Sequence, residues 1–202
     1  MKNWTKRTLA AVLTCLTLAV TVNLGQRQSA GLDGKMLDVG QGQCVLLASG
    51  GDFTLVDCGS ANSWYSSGEI AARHLRAMGC RKLDRLILTH YDEDHCSGVE
   101  ELLARMDVET LLVPQAVEED NAVVLALAES RNVQVQTVTD KLEIPAGQAV
   151  LTVYPPVGSS ESNERGLSVL ATSGEDDLLI TGDMNKATER ALLEAWPLPD
   201  IE

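Results

Sequence analysis

The sequence predicts a layered α/β (α+β) fold, and three observations support this class. The chain has 202 residues, of which 45% are hydrophobic, which suits one domain with a substantial core. The segment 83–88 is mostly apolar, as is typical of a strand covered on both faces of a sheet. Hairpin patterns come first and are followed by alternating strands and helices, an order that favours helices packed on sheets.

The first part of the domain is predicted to consist of strands joined by glycine-containing turns. The stretch 36–47 predicts a strand on each side of a turn at Gly40–Gly42, and 53–56 predicts the next strand. The turn at Ser49–Asp52 joins these strands as a hairpin. The Gly40–Gly42 pair lacks the third glycine, the lysine and the following helix of a phosphate-binding loop, so we reject that interpretation.

The remaining elements follow from helical spacing and turn signals. Glu69–Met78 has apolar residues at helical spacing and Gly79 as a stop, and His74 on this helix is interpreted as a surface residue. Ser97 with Glu100 fits a capping box that opens the next helix. The other predicted helices are 98–105, 121–130 and 187–196, and the other predicted strands are 110–113, 133–138, 149–154, 168–171 and 177–181.

The strongest functional signal follows the strand at 83–88. Four potential metal ligands, His90, Asp92, Asp94 and His95, occur within six residues on the loop before the next helix. Open α/β sheets usually place their chemistry on such loops. The alternative is a polar helix entry with surface histidines, but a buried strand is not expected to open onto four such groups by chance.

Two further carboxylates follow apolar strands. Asp183 comes after the strand at 177–181 and is either a ligand or a turn-forming residue. Asp57 comes after the strand at 53–56 and either forms a turn or supports the ligands from behind. Imidazoles with carboxylates suit zinc, manganese or iron, and the excess of carboxylates favours manganese or magnesium. Two neighbouring divalent cations would polarise a phosphoryl oxygen and supply hydroxide from a bound water.

The charge of the domain limits the possible substrates. The net charge of the chain is −13, but residues 1–30 hold only basic charges, which leaves 12 basic and 29 acidic residues from 31 onward, a net charge of −17. Such a surface repels nucleic acid, so a phosphodiester would have to be attracted by bound cations.

The five cysteines (15, 44, 58, 80 and 96) show no metal-binding spacing and are interpreted as unpaired structural thiols. A disulfide is the alternative if the domain is exported.

The N-terminal segment 1–30 is predicted to be a membrane anchor or a signal peptide. Three basic residues precede Leu9–Leu24, which is almost entirely apolar or threonine. No convincing cleavage site follows, which favours an uncleaved single-pass anchor in the cell membrane. The basic flank would stay in the cytoplasm, so the domain 31–202 would lie outside the membrane. The alternative is a secreted protein.

The motifs together resemble a known family. Thr89–Gly98 is similar to the signature of metallo-β-lactamase-fold hydrolases, with Asp92 in place of the usual second histidine. With aspartate at this position, the sequence resembles the extracytoplasmic hydrolase-like domain of ComEC-type DNA-uptake competence proteins. The sequence is also similar to this domain at Leu37–Gly42, Val56–Gly59 and Leu179–Asp183. A further similarity covers 163–170, where Ser168 stands in place of the family's third-motif histidine.

The resemblance implies a fold and a set of site residues. The implied fold is a four-layer αββα sandwich, and the implied activity is metal-dependent hydrolysis of a phosphodiester such as single-stranded DNA. Two divalent metal ions, manganese or zinc with magnesium as a further option, would be bound. The implied ligands are His90 and Asp92 for one metal, Asp94 and His95 for the second, and Asp183 as a bridge. The implied catalytic residues are Asp94 and Asp183, and the implied supporting residues are Asp57, Ser168 and Asp38.

The sequence departs from this family in three places, one of which is a spacing from Asn163 to Ser168 that is longer than usual. Gln43-Cys44 stands where the competence domains usually have Asp-Ser. The chain ends at Asp200-Ile-Glu202, before the family's Gly-His-His-Gly-Ser motif, so the second half of the sandwich is expected to be incomplete, as a fragment or a natural truncation. Two other functions therefore stay open: an impaired relative that acts as a binding module, and a metallo-hydrolase of another ester or amide.

Overall fold

The computed structural model describes residues 12–15, 17, 31–62, 64–115, 122–157 and 165–199. The chain divides into two compact units, residues 1–30 and residues 31–202. In the first unit, residues 12–15 and 17 are helical, and the rest of the predicted anchor lies outside the described residues. Within the described part of the chain, no helix has the length and apolar character needed to cross a membrane.

A six-stranded mixed sheet forms one half of the second unit. The strands follow one another in the order β1 to β6, with antiparallel pairing from β1 to β3 and parallel pairing from β3 to β6. The carboxyl ends of β3 and β4 therefore lie side by side, so the loops that follow these strands are at the same edge of the sheet. The strands are β1 (Asp33–Met36), β2 (Val45–Ser49), β3 (Asp52–Val56), β4 (Lys82–Ile87), β5 (Asp107–Pro114) and β6 (Gln134–Val138).

The predicted hairpin between β2 and β3 is confirmed. Ser49 pairs with Asp52, and the two residues between them are Gly50 and Gly51 with φ values of 57° and 92°. Positive φ at both central residues is the requirement of a type I′ turn, which glycine meets without strain.

A four-stranded antiparallel sheet forms the other half, in the order β10-β9-β8-β7. The sequence analysis assigned no element to β7, which contains Pro145. The proline is tolerated because β7 lies at the edge of its sheet, where no further strand needs its missing N–H. The strands are β7 (Leu142–Ala146), β8 (Ala149–Tyr154), β9 (Ser168–Ser173) and β10 (Asp176–Ile180).

Three apolar clusters order the elements into four layers, which confirms the predicted α/β class. One cluster joins the helices α1, α3 and α4 to the first sheet, and a second fills the space between the sheets. The third joins α5 to the outer face of the second sheet. The helices are α1 (Ser67–Ala77), α2 (Glu93–Cys96), α3 (Val99–Arg105), α4 (Ala122–Ser130) and α5 (Lys186–Ala195).

The capping box predicted at Ser97 and Glu100 is wrong. Helix α3 follows Gly98, and no side chain caps its first turn. The hydroxyl of Ser97 instead donates to the carbonyl of Ser60 at 3.0 Å and accepts from the Ser60 N–H at 2.9 Å. Ser97 therefore ties the loop after β3 to the loop after β4, and a tertiary contact replaces the predicted local one.

Candidate metal centre

Three neighbouring strand ends assemble the candidate site. Asp57 follows β3, and Thr89 and His90 follow the adjacent parallel strand β4. His95 lies on α2, a single helical turn that the sequence analysis treated as loop. Asp183 follows β10 of the other sheet and is brought close because Gly182, with a φ of 57°, lies against Thr89.

His90, His95 and Asp183 form the cluster that could hold a metal. One ligand atom from each lies within 4.8 Å of the others. The Nε2 atom of His95 lies 3.2 Å from Oδ1 of Asp183, and the two imidazole rings are 4.0 Å apart between centroids. Both histidines are buried, whereas 44% of the Asp183 side chain is exposed. The cluster is therefore closed from behind and open on the Asp183 side.

Asp57 orients His95 from behind. Its buried carboxylate lies 2.8 Å from Nδ1 of His95 and accepts from the N–H and the hydroxyl of Thr89, each at 2.7 Å. The side-chain amide of Gln43 also donates to it at 2.8 Å. A carboxylate only accepts, so the proton lies on Nδ1 of His95 and the lone pair of Nε2 points toward Asp183. This is the carboxylate–histidine arrangement that orients metal ligands in proteins.

His90 is held in the same tautomer. The Thr89 hydroxyl gives its only proton to Asp57, so it accepts from Nδ1 of His90 at 3.0 Å. Nε2 of His90 is buried and has no hydrogen-bond partner among the described residues. Buried polar atoms are nearly always paired, so an unpaired imidazole nitrogen that lies beside His95 and the Asp183 carboxylate fits a site for a cation.

The two imidazoles differ in charge preference. Burial, followed by the positive charge of His95, lowers the pKa of His90 and keeps it neutral, as ligation requires. Burial also acts to lower the pKa of His95, but the hydrogen bond and charge of Asp57, with the charges of Asp183 and Asp94, outweigh it and raise the pKa. A proton therefore competes with a cation mainly at His95.

The other sequence-predicted ligands lie outside this cluster. Asp92 is near it, with Oδ2 3.6 Å from Nε2 of His90 and 44% of its side chain exposed. Asp94 is half-buried on α2, and its backbone carbonyl accepts from the N–H of Gln43 at 2.9 Å. Among the described residues, neither carboxylate belongs to the group whose ligand atoms meet. The ligand roles of Asp92 and Asp94, and the catalytic role of Asp94, stay predictions.

Two of the residues predicted to support the ligands have other contacts. Asp38 is exposed and accepts a long hydrogen bond of 3.4 Å from the N–H of Gly40. Ser168 is buried on β9, with its hydroxyl 3.5 Å from the sulfur of Met184. Asp57, the third predicted supporting residue, is hydrogen-bonded to His95 of the cluster.

The sequence analysis missed the roles of Thr89 and Gln43. Thr89 contacts both histidines and Asp57, and its position directly before His90 was the available signal. Gln43 was noted only as a departure from a family motif, although its amide contacts Asp57.

Comparison with known proteins identifies the family. The model of the family described as the metallo-beta-lactamase superfamily matches residues 37–200. The chain belongs to the metallo-beta-lactamase superfamily. Its sequence is 31% identical over 181 residues to ComE operon protein 3 of Bacillus subtilis (strain 168), which covers 80% of this chain and 23% of that protein. The chain thus spans about a quarter of the length of this relative.

Solved structures agree with the fold of the superfamily. A metallo-beta-lactamase from Cronobacter sakazakii, a mutant of the HARLDQ motif, matches with a TM-score of 0.54 and 20% identity over 74% of this chain and 60% of that chain. The metallo-beta-lactamase fold protein YhfI from Bacillus subtilis matches with a TM-score of 0.52 and 18% identity over 78% of this chain and 64% of that chain. The predicted resemblance is confirmed, and the chain has the fold of the metal-dependent hydrolases of this superfamily.

Proposed function

We propose that this chain is a metal-dependent hydrolase that acts on a phosphodiester, with single-stranded DNA as the first candidate. The observation that carries the proposal is the unpaired Nε2 of His90, buried beside His95 and Asp183. The 31% identity to ComE operon protein 3 supports a role in competence. We further propose that residues 1–30 anchor the domain 31–202 on the outer side of the cell membrane.

Residues of the cluster would hold the metal and position it. His90, His95 and Asp183 supply two neutral imidazole nitrogens and one carboxylate, and Asp92 is near enough to join them. Manganese or zinc fits this mixture, and a second divalent ion is proposed with Asp94 among its ligands. When bound, such ions polarise a phosphoryl oxygen and make hydroxide available from water.

The protein's own groups determine how a substrate meets the centre. Asp57 and Thr89 fix both imidazole rings, so the ligand nitrogens do not need to reorganise when an ion arrives. Asp183 is half-exposed at the open side, where a phosphate group could approach. The acidic surface from residue 31 onward disfavours an anionic substrate unless cations are bound.

The first test is the metal content of the full chain. Wild type and His95→Ala are loaded with manganese or zinc, and bound metal per chain is measured by elemental analysis. We expect close to two metals in wild type and the loss of at least one in His95→Ala. His74→Ala is the matched control, because the His74 side chain is exposed on α1, where its Nδ1 is hydrogen-bonded to the Ile70 carbonyl and it lies outside the cluster. Equal metal content in His95→Ala and wild type would refute the assignment.

The second test is hydrolysis itself. The loaded chain is assayed on labelled single-stranded DNA and on a chromogenic phosphodiester, with a β-lactam and a thioester as alternative substrates. Phosphodiester cleavage that disappears with a chelator supports the proposal. Full activity in excess chelator would exclude the metal-dependent mechanism, and cleavage of only the other substrates would assign a different reaction to the same centre.

A binding module is the second candidate. The observation in its favour is that Asp92 and Asp94 lie outside the cluster, which leaves three converging ligands. This candidate predicts about one metal per chain and no hydrolysis of any substrate in the panel.

A further inference from the structure

Two buried thiols face each other behind the metal centre, although sequence spacing gave no reason to pair them. Within the β2–β3 hairpin, Val45 lies opposite Val56. Beyond Asp57 the pairing shifts by one residue, because the N–H of Gly59 donates to the carbonyl of Gln43 at 3.1 Å. Asp57, with a φ of 58°, is therefore the extra residue of a β-bulge.

The shifted pairing places Cys44 directly opposite Cys58. The N–H of Ala61 donates to the carbonyl of Gln41 at 2.7 Å, so the shifted ladder continues past Gly59. Gln43 and Gly59 share a single hydrogen bond, because the Gln43 N–H donates to the Asp94 carbonyl at 2.9 Å. The alternation of an antiparallel pair still makes the intervening residues Cys44 and Cys58 a non-hydrogen-bonded pair. In agreement, the N–H of Cys58 donates elsewhere, to the carbonyl of His95 at 2.8 Å.

The side chains of this pair meet on one face of the sheet. Both cysteines are fully buried in the apolar cluster that the first sheet shares with α1, α3 and α4. The neighbouring Cys58 thiol, followed by burial, raises the pKa of the Cys44 thiol well above its ordinary value, in agreement with the placement of the two side chains on one face. Non-hydrogen-bonded pairs have Cα atoms about 4.5 Å apart, within the range of about 4.4–6.8 Å that a disulfide spans.

We propose that Cys44 and Cys58 form a disulfide that clamps the bulge carrying Asp57. The oxidant is a low-molecular-weight or protein disulfide. One cysteine thiolate attacks a sulfur of the oxidant and releases its first thiol, and the second cysteine thiolate attacks the mixed disulfide and releases the other. Two protein thiols lose two protons and two electrons to become one disulfide, and the oxidant is reduced to two thiols.

The bond forms while the chain folds rather than in the closed native state. Both thiols are shielded from solvent, and the high pKa of Cys44 leaves little of its thiolate for exchange. Once formed, the link closes the hairpin beside Gln43 and Asp57, which are hydrogen-bonded to each other. Because a disulfide that closes a short loop mainly restricts the unfolded chain, we expect the midpoint of thermal unfolding to rise by about 5–10 °C.

The test is refolding of the full chain in a glutathione redox buffer. The protein is then unfolded in denaturant at mildly acidic pH, free thiols are blocked with a maleimide, and the digested protein is examined by mass spectrometry. We expect the peptides that contain Cys44 and Cys58 to be linked, and the linked protein to unfold at a higher temperature than the reduced protein.

Single variants separate the proposed bond from general oxidation. Cys44→Ala and Cys58→Ala should each lose both the link and the oxidation-dependent rise in unfolding temperature. Cys80→Ala is the matched control, because Cys80 is another buried cysteine and the Lys82 carbonyl accepts its thiol proton; it should keep both. Alkylation of Cys44 and Cys58 after oxidative refolding, a link to a different cysteine in most molecules, or an unfolding temperature not raised by the link would each overturn the proposal. Mapping of the wild-type chain decides the pairing even if a variant fails to fold.

Discussion

At the scale of single residues, Asp57 connects the backbone to the metal centre. Its positive φ makes the bulge at the end of β3, and its buried carboxylate receives donors from Thr89, His95 and Gln43. Asparagine and aspartate tolerate this left-handed conformation better than other residues that carry a side chain. The same residue therefore satisfies a backbone requirement and an electrostatic one.

Asp57→Asn tests the electrostatic requirement with little change in backbone preference. Every group that contacts the Asp57 carboxylate is a hydrogen-bond donor, and the NH₂ group of asparagine is also a donor, so at least one hydrogen bond is lost. We therefore expect the free energy of unfolding to fall by about 1–3 kcal/mol. Metal affinity should fall by about 10–100-fold, as is typical when the group behind a ligating histidine is changed. Both quantities can be measured by denaturant unfolding and by metal titration of the full chain.

The same variant has a pH signature. Removing the charge of Asp57 removes the main factor that raises the pKa of His95 and leaves burial opposed by the charges of Asp183 and Asp94, so that pKa should fall in the metal-free protein. Because the pKa of His95 is higher in the folded metal-free protein than in the unfolded chain, its protonation stabilises the fold. This stabilisation is complete at a pH below the ordinary histidine pKa of about 6.5 and is lost as the pH rises through the pKa of the folded protein. The stability gap between wild type and Asp57→Asn should therefore widen on acidification. NMR titration of the imidazole protons measures the pKa directly.

Asp84→Asn is the matched control for this experiment. Asp84 is a half-buried carboxylate on β4 that accepts from the N–H of Phe53 at 2.8 Å and lies outside the cluster. It should lose stability but keep the metal affinity of wild type. An equal loss of affinity in both variants would mean that Asp57 acts only through folding.

At the scale of elements, three loops are packed backbone against backbone around α2. A Cβ atom on Gly59 would overlap the backbone of Asp94 and His95, and one on Gly42 would approach the carbonyl of Asp94 to 2.7 Å. These glycines are needed for close approach, which is the second reason, besides positive φ, for glycine at a fixed position. The position of His95 therefore depends on residues that supply no ligand atom to the metal cluster.

Gly59→Ala should disturb the centre without changing any ligand. The added methyl group meets backbone rather than a movable side chain, so α2 has to shift and His95 shifts with it. We expect at least a tenfold loss of metal affinity together with a lower unfolding temperature. Gly34→Ala is the control: its Cβ would meet only the end of the Leu178 side chain, at 2.9 Å, together with a more distant contact with Leu47. Unchanged metal affinity in Gly59→Ala would show that the loops adapt to the extra atom.

The elements also show what the sequence could and could not predict. Apolar patterns and turn glycines predicted β4 and the β2–β3 hairpin, because these depend on burial and local backbone preference. The bulge at Asp57 and the helical turn α2 were not predicted, since both depend on contacts between segments far apart in the sequence. For the same reason, the motif predicted His90, His95 and Asp183 as ligands but not the hydrogen bonds that orient them.

At the scale of the whole molecule, the electrostatic field opposes the proposed substrate. From residue 31 onward, the chain contains 29 acidic and 12 basic residues. Long-range attraction of a polyanion normally depends on clustered basic residues, and this part of the chain has fewer basic than acidic residues. A divalent cation bound at His90, His95 and Asp183 would add two positive charges where the substrate approaches.

Binding of single-stranded DNA should therefore depend on the metal even when no cleavage occurs. We expect fluorescence anisotropy with a labelled oligonucleotide to show at least a tenfold lower affinity after metal is removed by a chelator and the chelator is dialysed away. In the presence of metal, His95→Ala should bind the oligonucleotide more weakly than wild type, because it holds fewer metal ions, and His74→Ala should bind it as wild type does. Tight binding of DNA by the metal-free chain would show that a basic surface elsewhere, rather than the metal centre, recognises the phosphodiester. The absence of binding in every state would instead remove DNA as the substrate while leaving the metal centre itself in place.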